Sequence, residues 1–253
     1  MKVSIIGIDC ATEASKIGLA RGEWTSQRVI IQAAEIAAPY CEIAETVRMW
    51  AAGYDKTLLA VDAPLGWPDG MREELYRHKA GRPISVEKDK MFKRETDRFV
   101  KRQTGQNPLE VGADKIARTS HAALELLERI RKVANADIAL NWVQEHVEGI
   151  QAIEVYPAVV LRTLCLDTRG YKGGEVKKRE DIVHNLLKHK ELEDRVAFCQ
   201  SATDKMKEND NLLDAALCVL AGADFCWGKC FNPPEKDKDI VRREGWIWFR
   251  TGQ

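Results

Sequence analysis

"SIIGIDCATEASKIGLAR", residues 4–21, is the stretch whose reading decides the fold. Ile5, Ile6, Gly7 and Ile8 form an unbroken apolar or small run, the mark of a strand buried on both faces. That run closes on Asp9 instead of a neutral turn residue. A second strand-like run, "KIGLAR" (16–21), follows a short polar turn, and "SQRVIIQAAEIA" (26–37) comes at hairpin spacing. The opening therefore predicts a three-stranded antiparallel unit with a carboxylate at the end of its first strand.

Beyond the hairpins, "CEIAETVRMWAAG" (41–53) carries Ile43, Val47 and Trp50 at helical spacing, with Gly53 as the stop. "TLLAVDAPLGWP" is a further buried strand that ends at Asp62. A helix between two buried strands predicts a crossover and parallel pairing. Residues 69–149 change character. They are highly charged and their periodic parts are helical, "HAALELLERIRKVA" the clearest, so they are expected to be a helical insertion within a single 1–253 domain. "QAIEVYP" (151–157) returns to strand with Glu154 near its end, and Pro157 opens a helix. "RGYKGGEVKK" could cradle a phosphate through backbone N–H groups, but without the lysine-serine ending of a P-loop it reads as a flexible surface loop; 177–190 and 210–227 read as helices, and "GWIWFR" as a final strand.

Length and charge bound the function classes. At 253 residues the chain is long enough to bury a sizeable core, and 39 basic against 39 acidic residues argues against non-specific coating of nucleic acid. Seven scattered cysteines read as reduced thiols, and the early apolar run is too short for a signal peptide. No apolar stretch approaches the length of a membrane span. The expectation is a cytoplasmic protein without a membrane partner, its oligomeric state open.

Three acids, Asp9, Asp62 and Glu154, stand at or near the C-terminal ends of separate expected strands, the edge where open α/β sheets bind ligands. Asp210 and Asp214 lie four apart, on one face of a helix that is apolar nearly all round downstream. Singly, each has a plainer reading: a turn former or cap for the strand acids, an N-cap for Asp210. Together they form a carboxylate cluster without histidine or thiolate, which suits Mg²⁺ or Mn²⁺ and not zinc. Two such ions about 3.5–4 Å apart serve phosphodiester cleavage, with Asp9 the natural bridging ligand.

With these positions in view, the chain resembles the RNase H-like superfamily. More narrowly, it resembles an uncharacterised family of predicted RNase H-like nucleases carried as a domain of unknown function. "IGIDCA", "KIGLA", "VDAPLGWP", "KRETDRFVKR", "IEVYP", "DNLLDAAL" and "EGWIWF" occur in the family's order across essentially the whole chain. The resemblance implies an α/β fold: a mixed sheet of three antiparallel strands followed by parallel ones, with helices on both faces. It also implies metal-binding roles for Asp9, Asp62 and Asp214, with Glu154 and Asp210 as further candidates. Ala158 follows "EVYP" where many relatives carry another acid, so no ligand is implied there.

The basic segment "FKRETDRFVKR" supplies Arg94 and Arg98, on one helix face, as candidate phosphate contacts, and Lys16 is a third. A solvated helix laced with internal ion pairs is the competing reading. Ser120–His121 reads as capping chemistry, and Trp227, Trp246 and Trp248 as core or rim packing. Three functions stand at this point. First is a divalent-metal-dependent nuclease with nucleic acid as partner. The others are a non-catalytic binding module on the same fold, and an actin-like phosphotransferase sharing the "GIDCA" strand.

Overall fold

A computed structural model describes residues 1–112 and 114–252. The opening folds as its pattern dictates: β1 (Val3–Asp9) pairs antiparallel with β2 (Gly18–Trp24), which pairs antiparallel with β3 (Val29–Ile36). Helix α1 (Tyr40–Ala51) crosses to β4 (Lys56–Asp62), which lies parallel to β1. Four helices follow: α2 (Asp69–Arg77), α3 (Lys88–Phe92), α4 (Glu95–Thr104) and α5 (Asp114–Ala134). Two parallel strands, β5 (Ala139–Leu140) and β6 (Gly149–Glu154), extend the sheet beyond β4. Then come α6 (Pro157–Thr163), α7 (Val176–Leu187), a short β7 (Val196–Phe198) beside β3, α8 (Gln200–Glu208), α9 (Asp210–Cys226) and α10 (Lys238–Glu244).

The seven-stranded sheet runs β5-β6-β4-β1-β2-β3-β7. It is a mixed α/β sheet of three antiparallel strands followed by parallel ones, with helices on both faces, the arrangement the resemblance implied. The two-residue period of a strand sends alternate side chains to opposite faces. Val3 and Ile5 of β1, with Leu58 and Ala60 of β4, join the core under α9. Ile6, Ile8, Leu59 and Val61 join the other core, against α1 and α5. β1 is buried along its whole length, as its unbroken apolar run requires.

Three expectations change. "GWIWFR" makes no regular strand: it carries only isolated bridges, Ile247 to Glu154 and Arg250 to Cys230. Its aromatic residues are the reason, since Trp246, Trp248 and Phe249 all turn into one core instead of alternating. β5, β7 and α8 are too short or too polar to announce themselves by periodicity. Ser120 is not a helix head but lies inside α5, where its hydroxyl donates to Pro64 O at 2.7 Å. Among the described residues, no helix is long and apolar enough to cross a membrane.

Candidate functional site

Strand register places the first two acids. Asp9 and Asp62 are direct partners across the parallel β1–β4 pair, so their side chains leave the sheet side by side on the same face. That face is the one under α9, because Asp9 keeps the parity of Ile5, and Asp62 that of Ala60. The third acid comes from above. The side chain of Asn209 accepts the N–H groups of Asn211 and Leu212 and so starts α9, and Asp214 stands one turn in, only 1% exposed.

Helix and strand meet here as closely as backbones allow. A Cβ on Gly7 would lie 2.0 Å from the carbonyl oxygen of Ala215, the residue after Asp214. Only glycine at this point of β1 lets α9 settle low enough to bring its carboxylate down to the strand edge.

The loop after α6 completes the cluster. Tyr171, buried, donates its hydroxyl to Asp214 Oδ1 at 2.7 Å, and the Lys172 ammonium stands 2.8 Å from Oδ2. Oδ2 is thus a buried oxygen whose cationic neighbour is this exposed lysine. Arg179 of α7, itself 1% exposed, fixes the loop by donating to Tyr171 O (2.8 Å) and Gly173 O (2.7 Å). Its other nitrogens hold Lys207 O and Glu208 O at the end of α8. Sequence reasoning missed Tyr171 and Lys172, having read this segment as a free surface loop. The nearest signal was the basic and aromatic content of "RGYKGG" itself.

The acids perturb one another. Burial, then the charges of Asp214 and Asp62, push Asp9 well above the usual carboxylate range. Burial and the Asp214 charge push Asp62 up to about 8, with Lys172 opposing. Asp214 is raised by burial against the lowering pull of Lys172 and Tyr171. Asp210, in the first turn of α9, accepts the Gly173 N–H at 3.1 Å and adds its negative charge to Asp9 and Asp214.

The other candidates sit differently. Glu154 is the partner of Val61, not of Asp62, so it leaves the sheet out of step with the acid pair, although it lines the wall of the same cavity and its charge raises Asp62. There Arg94 holds it with two hydrogen bonds, 2.7 and 2.8 Å, while the Leu65 N–H donates to it at 3.0 Å. Glu154 is a buried ion-pair partner and not a free carboxylate of the cluster. Arg94 is corrected with it: 1% exposed, it spends its guanidinium on Asp97, Glu154 and Glu244 O, and none of it is free for phosphate. Arg98 is tied to Glu95 and to the Lys93 and Asp89 carbonyls, which realises the internal ion-pair reading. Lys16 pairs locally with Glu13 at 2.8 Å on the surface. His121 is exposed and pairs loosely with Glu125.

A cavity of about 540 Å³ opens over Asp9, Asp62 and Asp214. Its walls mix Lys172 and Gln106 with Leu109, Ile116 and Tyr156. A larger surface cleft, about 690 Å³, lies along α2 among Arg72, Arg77, Lys79 and Arg82 and contains none of these acids.

Among the described residues, no three Asp, Glu, His or Cys side chains are gathered closely enough to enclose an ion as they stand. The donor chemistry nonetheless suits a hard cation. Among the described residues, buried Asp214 Oδ2 has only the exposed Lys172 ammonium beside it, and neither Asp9 nor Asp62 receives a side-chain hydrogen bond. The nearby Cys10 and Cys218 thiols are pushed well up by burial and the acids, so they remain protonated and offer no thiolate. What is left is an all-oxygen set, the kind Mg²⁺ and Mn²⁺ prefer.

Comparison with known proteins adds a family. The family model described as "Protein of unknown function (DUF429)" matches residues 7–239, a span that includes all three clustered acids. No curated protein matches. Among solved structures, T. thermophilus RuvC in complex with Holliday junction substrate matches at 11% identity, over 87% of this chain and 97% of that one. Its TM-score is 0.31, too slight a likeness to bear on activity.

Proposed function

The chain belongs to the DUF429 family, and we propose that it is a divalent-metal-dependent nuclease hydrolysing phosphodiester bonds of nucleic acid. One observation carries the reading. Two carboxylates in register on adjacent parallel strands face a third on a buried helix, at the floor of a cavity. Asp9, Asp62 and Asp214 would hold Mg²⁺ or Mn²⁺, with Asp210 at the margin. When bound, the cation supplies Lewis-acid charge for phosphate oxygens and acidifies water.

The protein's own residues supply the rest. Tyr171 fixes the orientation of Asp214 through its hydrogen bond, so the carboxylate is aimed before any substrate arrives. Lys172 brings a positive charge to the rim, suited to an entering phosphate. The Arg94–Glu154 pair holds the loop after β4 through the Leu65 N–H and so keeps Asp62 at its station. Leu109, Ile116 and Tyr156 narrow the cavity and limit water around the reacting group.

The test is incubation of the purified protein with labelled single-stranded, duplex, hybrid and branched substrates in Mg²⁺ or Mn²⁺. Metal-dependent cleavage that Asp9→Asn abolishes is the expected result. No cleavage of any substrate, or cleavage undiminished in the variant, removes the proposal.

A second reading, a non-catalytic binding module, draws on the balanced charge, 39 basic against 39 acidic residues, and on Lys172 already seated against Asp214. Calorimetric titration with Mn²⁺ separates the two. Divalent binding that Asp9→Asn removes favours the nuclease, and its absence favours the module.

A further inference from the structure

We infer that Lys172 is a tethered counter-ion of the carboxylate cluster, displaced from Asp214 when a divalent cation binds and thereby freed to meet an anionic group of the substrate. The inference rests on the metal-binding reading above and assigns a role to a residue outside the acid set.

Four observations carry it. The ammonium is 2.8 Å from Asp214 Oδ2, an ion pair held through the end of one long side chain. The two partners differ in burial: Asp214 is 1% exposed at its side chain and Lys172 is 63% exposed. A carboxylate so buried needs a positive neighbour, whereas a lysine so exposed has water to return to and loses little on release. Oδ2 is also the oxygen that Tyr171 leaves free, since Tyr171 takes Oδ1. A cation that ligates Asp214 through the oxygen the tyrosine leaves untouched therefore takes the place beside which the ammonium stands.

The loop is built so that the lysine moves and its base does not. Tyr171 and Gly173 are pinned through their carbonyls by buried Arg179, and the Gly173 N–H is held by Asp210. Gly170 and Gly173, at φ +68° and +74°, make the turn that lifts Lys172 between these anchors. Release of the ammonium thus requires only rotation of its own side chain, over a cavity that Lys172 also lines. The charged groups facing it are Asp214, Asp9 and Asp62. Once a divalent cation neutralises these, the attraction that holds the lysine inward is gone.

The experiment measures divalent binding and lysine accessibility separately from cleavage. Mn²⁺ affinity is measured by calorimetry on the wild type and on Lys172→Met. Amine acetylation at residue 172 is then followed by mass spectrometry with and without Mg²⁺. The expected results are Mn²⁺ binding about tenfold tighter or more in Lys172→Met, and acetylation of wild-type Lys172 that rises severalfold when Mg²⁺ is added. Acetylation that is unchanged while the wild type binds metal overturns the displacement, as does equal or weaker Mn²⁺ binding by the variant. Absence of Mn²⁺ binding in both proteins removes the metal reading itself, a different failure. A circular-dichroism melt of the variant keeps misfolding from being read as either result.

Discussion

Asp62→Asn should make the metal-free protein more stable. Folding takes Asp62 from water into a site where burial and the Asp214 charge raise its pKa from 3.8 to about 8. A group whose folded pKa is raised stabilises the fold fully below its unfolded pKa and loses that contribution as pH climbs to the folded value. For Asp62 the loss runs from about pH 4 to about pH 8. At about 1.4 kcal/mol per pKa unit the full loss is about 6 kcal/mol, of which about 4 kcal/mol has gone by pH 7. Asp62 keeps part of its surface toward the cavity, and its charge is shared with two other acids, so about 2 kcal/mol is the working figure. Asparagine keeps the shape and removes the charge.

The assay is urea unfolding of both proteins in chelator at pH 4 and pH 7. The variant should be more stable at pH 7 by about 2 kcal/mol, with the gap closing to a few tenths at pH 4. Saturating Mg²⁺ should shrink or reverse the gap, because a ligand that binds only the native wild type stabilises it in proportion to occupancy. A variant no more stable than the wild type at pH 7, or a gap that ignores pH, would refute the account of these acids as mutually repelling.

Three further substitutions test the frame around the cluster. Gly7→Ala puts a Cβ 2.0 Å from the Ala215 carbonyl, so α9 must shift: a loss of about 2–4 kcal/mol in urea unfolding should accompany loss of divalent binding. Arg94→Met leaves Asp97 and Glu154 buried without their cation and should cost about 3–5 kcal/mol. Adding Glu154→Leu should recover part of that in the same thermal melt. Tyr171→Phe removes the 2.7 Å bond to Asp214 and should cost about 1–3 kcal/mol. That loss should grow as pH rises, since it is the ionised carboxylate that the hydroxyl supports, and melts at two pH values read it directly.

Much of this site is legible in residues 4–21, and the reason is local. An apolar run must become a buried strand, and an acid at its end must emerge at the sheet edge. The same logic found Asp62, and the four-residue spacing on an apolar helix found Asp214. Glu154 obeyed the local rule and still fell outside the cluster. Whether it faces Asp62 depends on register between β4 and β6, and a one-residue offset is invisible until the strands are paired. Arg94 misled for a related reason. A basic residue in a charged segment looks solvated, and only the fold shows that it meets an acid 60 positions away. Tyr171 and Lys172 depend on a clamp between α7 and the end of α8 that no short pattern encodes.

These differences share a direction. Asp9, Asp62 and Asp214 come together because each stands where its own strand or helix puts it, whereas the surroundings of Glu154, Arg94, Tyr171 and Lys172 are set by partners distant in sequence. The partners are what turn three acids into a site. Without Tyr171 and Lys172, Asp214 is a buried carboxylate with no favourable neighbour. Without the Arg94–Glu154 pair, the loop that follows Asp62 loses the Leu65 anchor. The fold thus holds the acids together against their own repulsion through packing, with Tyr171 and Lys172 set against Asp214 alone. On the proposed metal-binding reading, a divalent cation would bring to that point the charge that one exposed lysine supplies only in part.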